Sequence, residues 1–196
     1  MTWDSGLSSA SQEELKIGVV HGRFQPLHLG HMNYILAAKK KCDLLFVGIT
    51  NPDPYLTKKD ITNPLRSMPI SNPFSYWQRL LMIEAALPEA GIDKAVFRVV
   101  PFPINFPKRI RFYSPRDAKY FVTIYDAWGR RKVEILKSVG LDVEVLWERD
   151  PSEKGIDGAE VRQLMIENGD WKSLVPPSVV KVISDFVPKE ILKGRE

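Results

Sequence analysis

Two of the chain's three histidines stand three residues apart in the run Gly22-Arg23-Phe24-Gln25-Pro26-Leu27-His28-Leu29-Gly30-His31. An apolar run, Ile17-Gly18-Val19-Val20, precedes it, and a helical pattern over 32–41 follows. That order puts both imidazoles in the first turn of a helix, on one face. Backbone amides there lack partners and carry partial positive charge. Two imidazoles beside them make a site that suits an anion, phosphate above all. A single core histidine is commonplace. Two on one turn, behind a glycine-punctuated strand end, favour phosphate binding over a structural pair. His21 reads equally as a third phosphate contact or as a plain strand-end residue.

The elements that must position these groups are legible around them. Short runs rich in Val, Ile, Phe and Leu mark strands at 16–21, 43–49, 95–101, 118–124 and 142–147. Several are near-continuously apolar, as parallel strands covered on both faces should be. Helical patterns separate them at 29–41, 73–90 and 126–139. Asn72 is the expected cap of the second, with Pro73 at its first position. Asp126 caps the third and Gly140 stops it. After 158 the pattern is all-helical, over 158–168 and then 176–186. Strand–helix alternation makes this an α/β chain with a parallel sheet and a C-terminal helical segment. We divide it into a flexible leader (1–15), a domain (16–187, its last part from 158 helical) and a tail (188–196).

Two connections, 50–72 and 101–117, are too long to be simple turns. Both follow strand C-termini, the edge where doubly wound sheets bind ligands. Both are rich in proline and cations: Lys58, Lys59 and Arg66 in one, Lys108, Arg109, Arg111 and Arg116 in the other. They read as a substrate lid, with a solvated basic surface as the alternative.

Composition narrows the function class. The chain has 196 residues and a net charge of +4. That mild excess suits anionic metabolites, but interspersed acids argue against nucleic acid. Cys42 is the single cysteine, which excludes an intrachain disulfide and a cysteine zinc site and fits a reducing compartment. It reads as a buried small hydrophobe. No apolar window is long enough for a membrane span. The N-terminal segment, with Trp3 its one docking candidate, lacks the apolar core of a signal peptide. A cytoplasmic protein follows. Trp77, Trp128 and Trp171 read as packing residues rather than base stackers.

The residues 22–31 resemble the His-x-Gly-His signature of the nucleotidyltransferase α/β-phosphodiesterase superfamily, and within it archaeal-type nicotinamide-nucleotide adenylyltransferases. Three further segments are similar in the same order. Asn72-Pro73-Phe74-Ser75-Tyr76-Trp77-Gln78-Arg79 resembles the family's Asn-Pro-Phe-Thr-Ala-Gly-Glu-Arg. Gly158-Ala159-Glu160-Val161-Arg162 resembles Ser-Gly-Thr-Glu-(Ile/Val)-Arg, and Gly169-Asp170-Trp171-Lys172-Ser173-Leu174-Val175-Pro176 resembles Gly-Asp-Trp-Arg-Ser-Leu-(Leu/Val)-Pro.

The resemblance implies a Rossmann-like five-stranded parallel sheet of order 3-2-1-4-5. It implies attack by a substrate phosphate on the α-phosphorus of a nucleoside triphosphate, with pyrophosphate leaving. His28, His31, Arg23 and Arg162 are then the catalytic residues. The histidines hold the α-phosphate, and Arg162 holds the β- and γ-phosphates. Gly22, Phe24, Gln25, Gly30, Tyr125, Gly158, Ala159 and Val161 complete the nucleotide site. Ser71, Asn72, Arg79, Asn105, Phe106, Lys108 and Arg109 are the acceptor candidates. Arg79 and Arg162 remain readable as ordinary salt-bridge partners on helices. Mg²⁺ is expected through the triphosphate, with no protein metal ligands. A homo-oligomer is among the family's habits.

The departures fall on the substrate. Ser71 stands where the family has a basic residue, and Tyr76-Trp77-Gln78 replaces Ala-Gly-Glu. Asp157 and Ala159 replace two hydroxyl residues, one lost hydrogen bond being worth about 1 kcal/mol. Asn105-Phe106-Pro107-Lys108-Arg109 replaces the segment that meets nicotinamide. The first candidate activity is nicotinamide-nucleotide adenylyl transfer from ATP. The runner-up is cytidylyl transfer from CTP to a small phosphonate or a sugar or polyol phosphate. A nucleotide sensor without chemistry and a fragment of a class I aminoacyl-tRNA synthetase are lesser readings.

Overall fold

Five apolar runs become five parallel strands: β1 (Ile17–Gly22), β2 (Leu44–Thr50), β3 (Phe97–Phe102), β4 (Lys119–Ile124) and β5 (Asp142–Glu148). They pair in the order β3-β2-β1-β4-β5. This architecture comes from a computed structural model that describes residues 14–58 and 64–188. The order reverses beside β1, so the ligand crevice opens over the C-terminal end of that strand. Five helices cover the sheet: α1 (Leu29–Lys39), α2 (Tyr76–Glu89), α3 (Ala127–Ser138), α4 (Gly158–Ile166) and α5 (Pro177–Phe186).

Both faces of β1 are buried, which its unbroken apolar run requires. Val20 belongs to a core shared with α1, α2, α4 and α5, and Val19 to a second core under α3. The C-terminal helices thus pack onto the same face as α1 and α2. Cys42 is buried against Gly18, as a small apolar residue would be.

One cap differs from expectation. The α2 helix starts three residues beyond Asn72, at a Ser75–Gln78 capping box. Gln78 accepts from the Ser75 amide at 2.9 Å, while the Asn72 side chain donates to the Met68 carbonyl. A reciprocal box satisfies two orphan amides and outcompetes a single-residue cap.

The long connections also carry short 3-10 turns, at Pro54–Leu56, Pro64–Ser67, Pro69–Ser71 and Pro107–Phe112. Buried Ile110 roots the last of these in the α3-side core. The leader up to residue 13, Lys59, and the tail from residue 189 lie outside the described residues. No helix among the described residues is long and apolar enough to cross a membrane.

Candidate active site

The chain leaves β1 at Gly22, crosses the sheet edge and enters α1 at His28. His28 is the N-cap, and its Nδ1 accepts the His31 amide at 3.3 Å. An accepting Nδ1 carries no proton, so neutral His28 holds its proton on Nε2. The two imidazoles stack with centroids 3.7 Å apart, and Phe24 meets His31 edge-on at 4.9 Å. Phe24 is buried and adopts φ +51, a left-handed conformation. A Cβ on Gly30 would lie 3.1 Å from the His28 Nδ1 and 3.4 Å from the Ile156 carbonyl. Gly30 therefore makes room first for the His28 ring itself.

Burial drives both imidazoles towards the neutral form. It lowers His28 to about 4; Asp157 pulls the other way, while Lys154 and Arg162 add to the lowering. His31 is lowered by burial and then by His28, Arg23, Lys154 and Lys132. A neutral pair in a cationic surround is primed for an anion, whose charge would draw protons back.

Arg162 reaches into this site from α4. Its Nη1 donates to the Gln25 carbonyl at 2.6 Å, joining α4 to the histidine loop. A Cβ on Gly158 would crowd both partners, at 3.3 and 3.4 Å. Burial lowers the Arg162 pKa, with Asp157 opposing. Asp157 caps α4 by accepting the Ala159 amide at 2.8 Å and pairs with Lys154. Burial works to raise the Asp157 carboxyl, but the Ala159 amide, Lys154 and His28 hold it at about 2. Lys154 thus offsets an ionised acid at the N-terminus of α4.

One cavity joins these groups along the sheet edge. On the β4–β5 side its wall includes Tyr125, Trp128 and Trp147. A register shift between Val122 and Thr123 skips one β5 residue, so Leu146 and Trp147 both face the same core. Such a bulge re-aims a side chain, and Trp147 donates to the Tyr125 hydroxyl at 2.7 Å. On the β2–β3 side the wall includes His21, Thr50, Asn51, Lys58 and Asn105.

The predicted residues divide between wall and support. Gly22, Arg23, Phe24, Gln25, His28, Gly30, His31, Tyr125, Gly158 and Arg162 line the cavity. Ala159 is exposed and Val161 is buried in the core, so neither side chain reaches it. The Gln25 amide is spent on Phe74, giving and accepting bonds of 2.9 Å. Gln25 therefore positions the loop.

Of the acceptor candidates, only Asn105 lines the cavity; its amide donates to Asn51 Oδ1 at 3.2 Å. Arg79 is a correction. It is buried, and its guanidinium donates to the carbonyls of Ser75, Arg23, Thr50 and Asn51 at 2.7–3.1 Å. A fork spent on four carbonyls braces the ends of β1 and β2 rather than holding substrate. Ser71 is buried, and its carbonyl accepts from Arg23 Nη1 at 3.3 Å. Asn72 serves the Met68 carbonyl.

Phe106 sits between Lys58, 4.4 Å from its centroid, and Arg109, at 5.2 Å. Lys108, with Arg111 and Arg116, lines a separate cavity beside Ser138 and Leu141, at the far end of α3. Ile110 pulls this basic segment down the α3 face, so the second connection closes over the crevice only through Ile104 and Asn105.

Sequence reading missed Lys132, Lys154 and Trp147 as wall residues, and Trp128 lines the wall as well. Lys154, three residues before a helix cap, was the readable signal; a strand bulge leaves none. Asp126 and Asp157 also line the cavity, each capping a helix. Among the described residues no cluster of acids, histidines and cysteines suits a metal.

Residues 19–164, from β1 to α4, match the cytidylyltransferase-like family. A phosphonoformate cytidylyltransferase of Streptomyces viridochromogenes is 49% identical over 168 residues, covering 86% of this chain and 90% of that protein. A nicotinamide-nucleotide adenylyltransferase of Methanothrix thermoacetophila is 30% identical over 187 residues, covering 92% and 96%. Among solved structures, a bifunctional NMN adenylyltransferase/ADP ribose pyrophosphatase from Francisella tularensis, complexed with AMP and a manganese ion, superposes with a TM-score of 0.63 at 21% identity. That match covers 92% of this chain and 52% of the bifunctional one, so this chain spans about half its length. That likeness is one of fold. With the match running through every strand and both histidines, the chain belongs to the cytidylyltransferase-like family and is a nucleotidyltransferase.

Proposed function

We propose that this nucleotidyltransferase is a cytoplasmic cytidylyltransferase that moves CMP from CTP to a small phosphonate acid of the phosphonoformate type. The carrying observation is the 49% identity to a phosphonoformate cytidylyltransferase, against 30% to an adenylyltransferase. Sequence reading put the adenylyl activity first and this one second; the relatives favour the reverse order.

In this reading an oxygen of the phosphonate attacks the α-phosphorus of CTP in line. The new P–O bond forms as the bond to the β-phosphate oxygen breaks, and pyrophosphate leaves with that electron pair. The ionised phosphonate needs no general base. The Nε2–H of His28 and the ring of His31 donate to the α-phosphate oxygens as charge grows there. Arg162 and Lys154 hold the departing pyrophosphate, and Arg23 orients phosphate oxygens with its planar fork. The triphosphate brings Mg²⁺, which supplies further charge neutralisation; Asp126 and Asp157 are already engaged as helix caps.

The test is pyrophosphate release from ATP, CTP, GTP and UTP, each with phosphonoformate or nicotinamide mononucleotide. Release that needs CTP and phosphonoformate together supports the proposal. Release that needs ATP and nicotinamide mononucleotide replaces it with the adenylyl reading.

A further inference from the structure

The crevice holds a buried imidazole that the transfer chemistry does not use. His21, next to last in β1, is 3% exposed, and neither of its ring nitrogens has a hydrogen-bond partner. Burying a polar group without partners is unfavourable, and native proteins rarely tolerate it without a use. A Phe or Leu would fill the same space without that penalty.

The fold nevertheless holds this imidazole in place. His21 shares the α3-side face with Val19, since side chains alternate along a strand. Its ring stacks on Phe102, with centroids 4.6 Å apart and planes inclined by 18°. Gly48 of β2, the register partner of His21, lies between the two rings' strands. A Cβ there would come within 2.6 Å of Phe102, so its absence lets the ring lie against His21. The His21 amide donates to the Tyr34 hydroxyl, which donates to the Phe121 carbonyl.

The imidazole borders the crevice on its β2–β3 side, with Thr50, Asn51 and Asn105, away from Tyr125 and Trp147. Lys132 of α3 lines the same cavity and places positive charge towards it. Burial, then Lys132, lowers the His21 pKa, which leaves a neutral ring with one N–H donor and one acceptor nitrogen. A fixed N–H beside a cation suits an acid group.

We infer that His21 is an acceptor-contacting, specificity-determining residue: its ring N–H binds a second acid group of the acceptor, while the first group attacks the nucleotide. The identity of that acceptor rests on the cytidylyl-transfer reading. In phosphonoformate the second group is the carboxylate, bonded directly to the attacking phosphonate.

The experiment compares wild type with His21→Phe, which keeps a stacking ring and loses the N–H, and His21→Gln, which keeps a donor. Acceptor and CTP KM values are measured with phosphonoformate and with methylphosphonate, which lacks the carboxylate. Thermal stabilisation by phosphonoformate is recorded alongside. His21→Phe should raise the phosphonoformate KM about tenfold or more, leave the CTP KM within about twofold, and shrink the preference for phosphonoformate over methylphosphonate. His21→Gln should restore part of that preference.

An unchanged preference and KM in His21→Phe overturns the inference while the cytidylyl reading stands. A wild type that fails to turn over phosphonoformate, yet gains thermal stability from it in a His21-dependent way, overturns the cytidylyl reading and supports the acid-group contact. Loss of both turnover and stabilisation in the wild type overturns both.

Discussion

In the proposed mechanism His28 and His31 carry the chemistry, because each can donate to oxygens whose charge grows during transfer. Replacing either with Ala should lower kcat by about 100-fold or more, the scale of losing a transition-state donor. Steady-state pyrophosphate release measures this, and full activity in both variants would contradict the mechanism. Burial of the same pair also sets a pH dependence of stability. Folded His28 titrates at about 4, whereas an unfolded imidazole titrates near 6.5. Between those values the unfolded chain binds a proton that the folded chain refuses. Stability is thus full above about pH 6.5 and falls as pH drops towards 4. The urea midpoint should fall over that window, and less steeply in His28→Gln. An equal slope in the variant would mean that burial of this ring does not matter. The His-x-Gly-His run itself was plain in the sequence, because adjacency along one turn is a local property. The pairing of Lys154 with Asp157 was less visible, since the acid looked like a lost hydroxyl and its compensating cation lay outside the motif.

Elements do the positioning, and here sequence patterns predicted more than side-chain roles. All five strands and all five helices lie within a few residues of where apolar periodicity put them. The α2 cap moved to Ser75 because a capping box and the Gln25–Phe74 clamp both use the residues after Asn72. Ser75→Ala should cost about 1 kcal/mol of stability by denaturant melting. Arg79 shows the harder limit. Its place after Asn-Pro-Phe suggested substrate, but its fork closes on carbonyls from the ends of β1 and β2. That contact spans sequence separations of 56 and 29 residues, which no local pattern encodes. Arg79→Met should therefore destabilise the fold by about 3 kcal/mol, the cost of leaving buried carbonyls unsatisfied. A variant with wild-type melting and a raised acceptor KM would return Arg79 to the substrate site. The path of the long basic connection was less legible for a related reason: buried Ile110, packed in the α3-side core, sets it.

At the scale of the molecule, the reversal of strand order beside β1 divides one crevice into two ends. In the proposed reading the β4–β5 end, with the re-aimed Trp147, takes the nucleotide, and the β2–β3 end, with His21, takes the acceptor. CTP should raise the melting temperature more than ATP at equal concentration, as tighter binding to the folded state requires. The fold class was readable from alternation and from the resemblance, because strands buried on both faces read as near-continuous apolar runs. Base and acceptor were not, since a few crevice side chains and backbone groups select them. The most direct test follows the transferred group itself by phosphorus NMR, with Mg²⁺, CTP and phosphonoformate present. The account predicts a coupled pair of resonances from a cytidylyl–phosphonoformate anhydride, formed in equal amount with pyrophosphate and abolished in His28→Ala. Pyrophosphate accompanied only by free CMP, or anhydride formed only from ATP and nicotinamide mononucleotide, would contradict it.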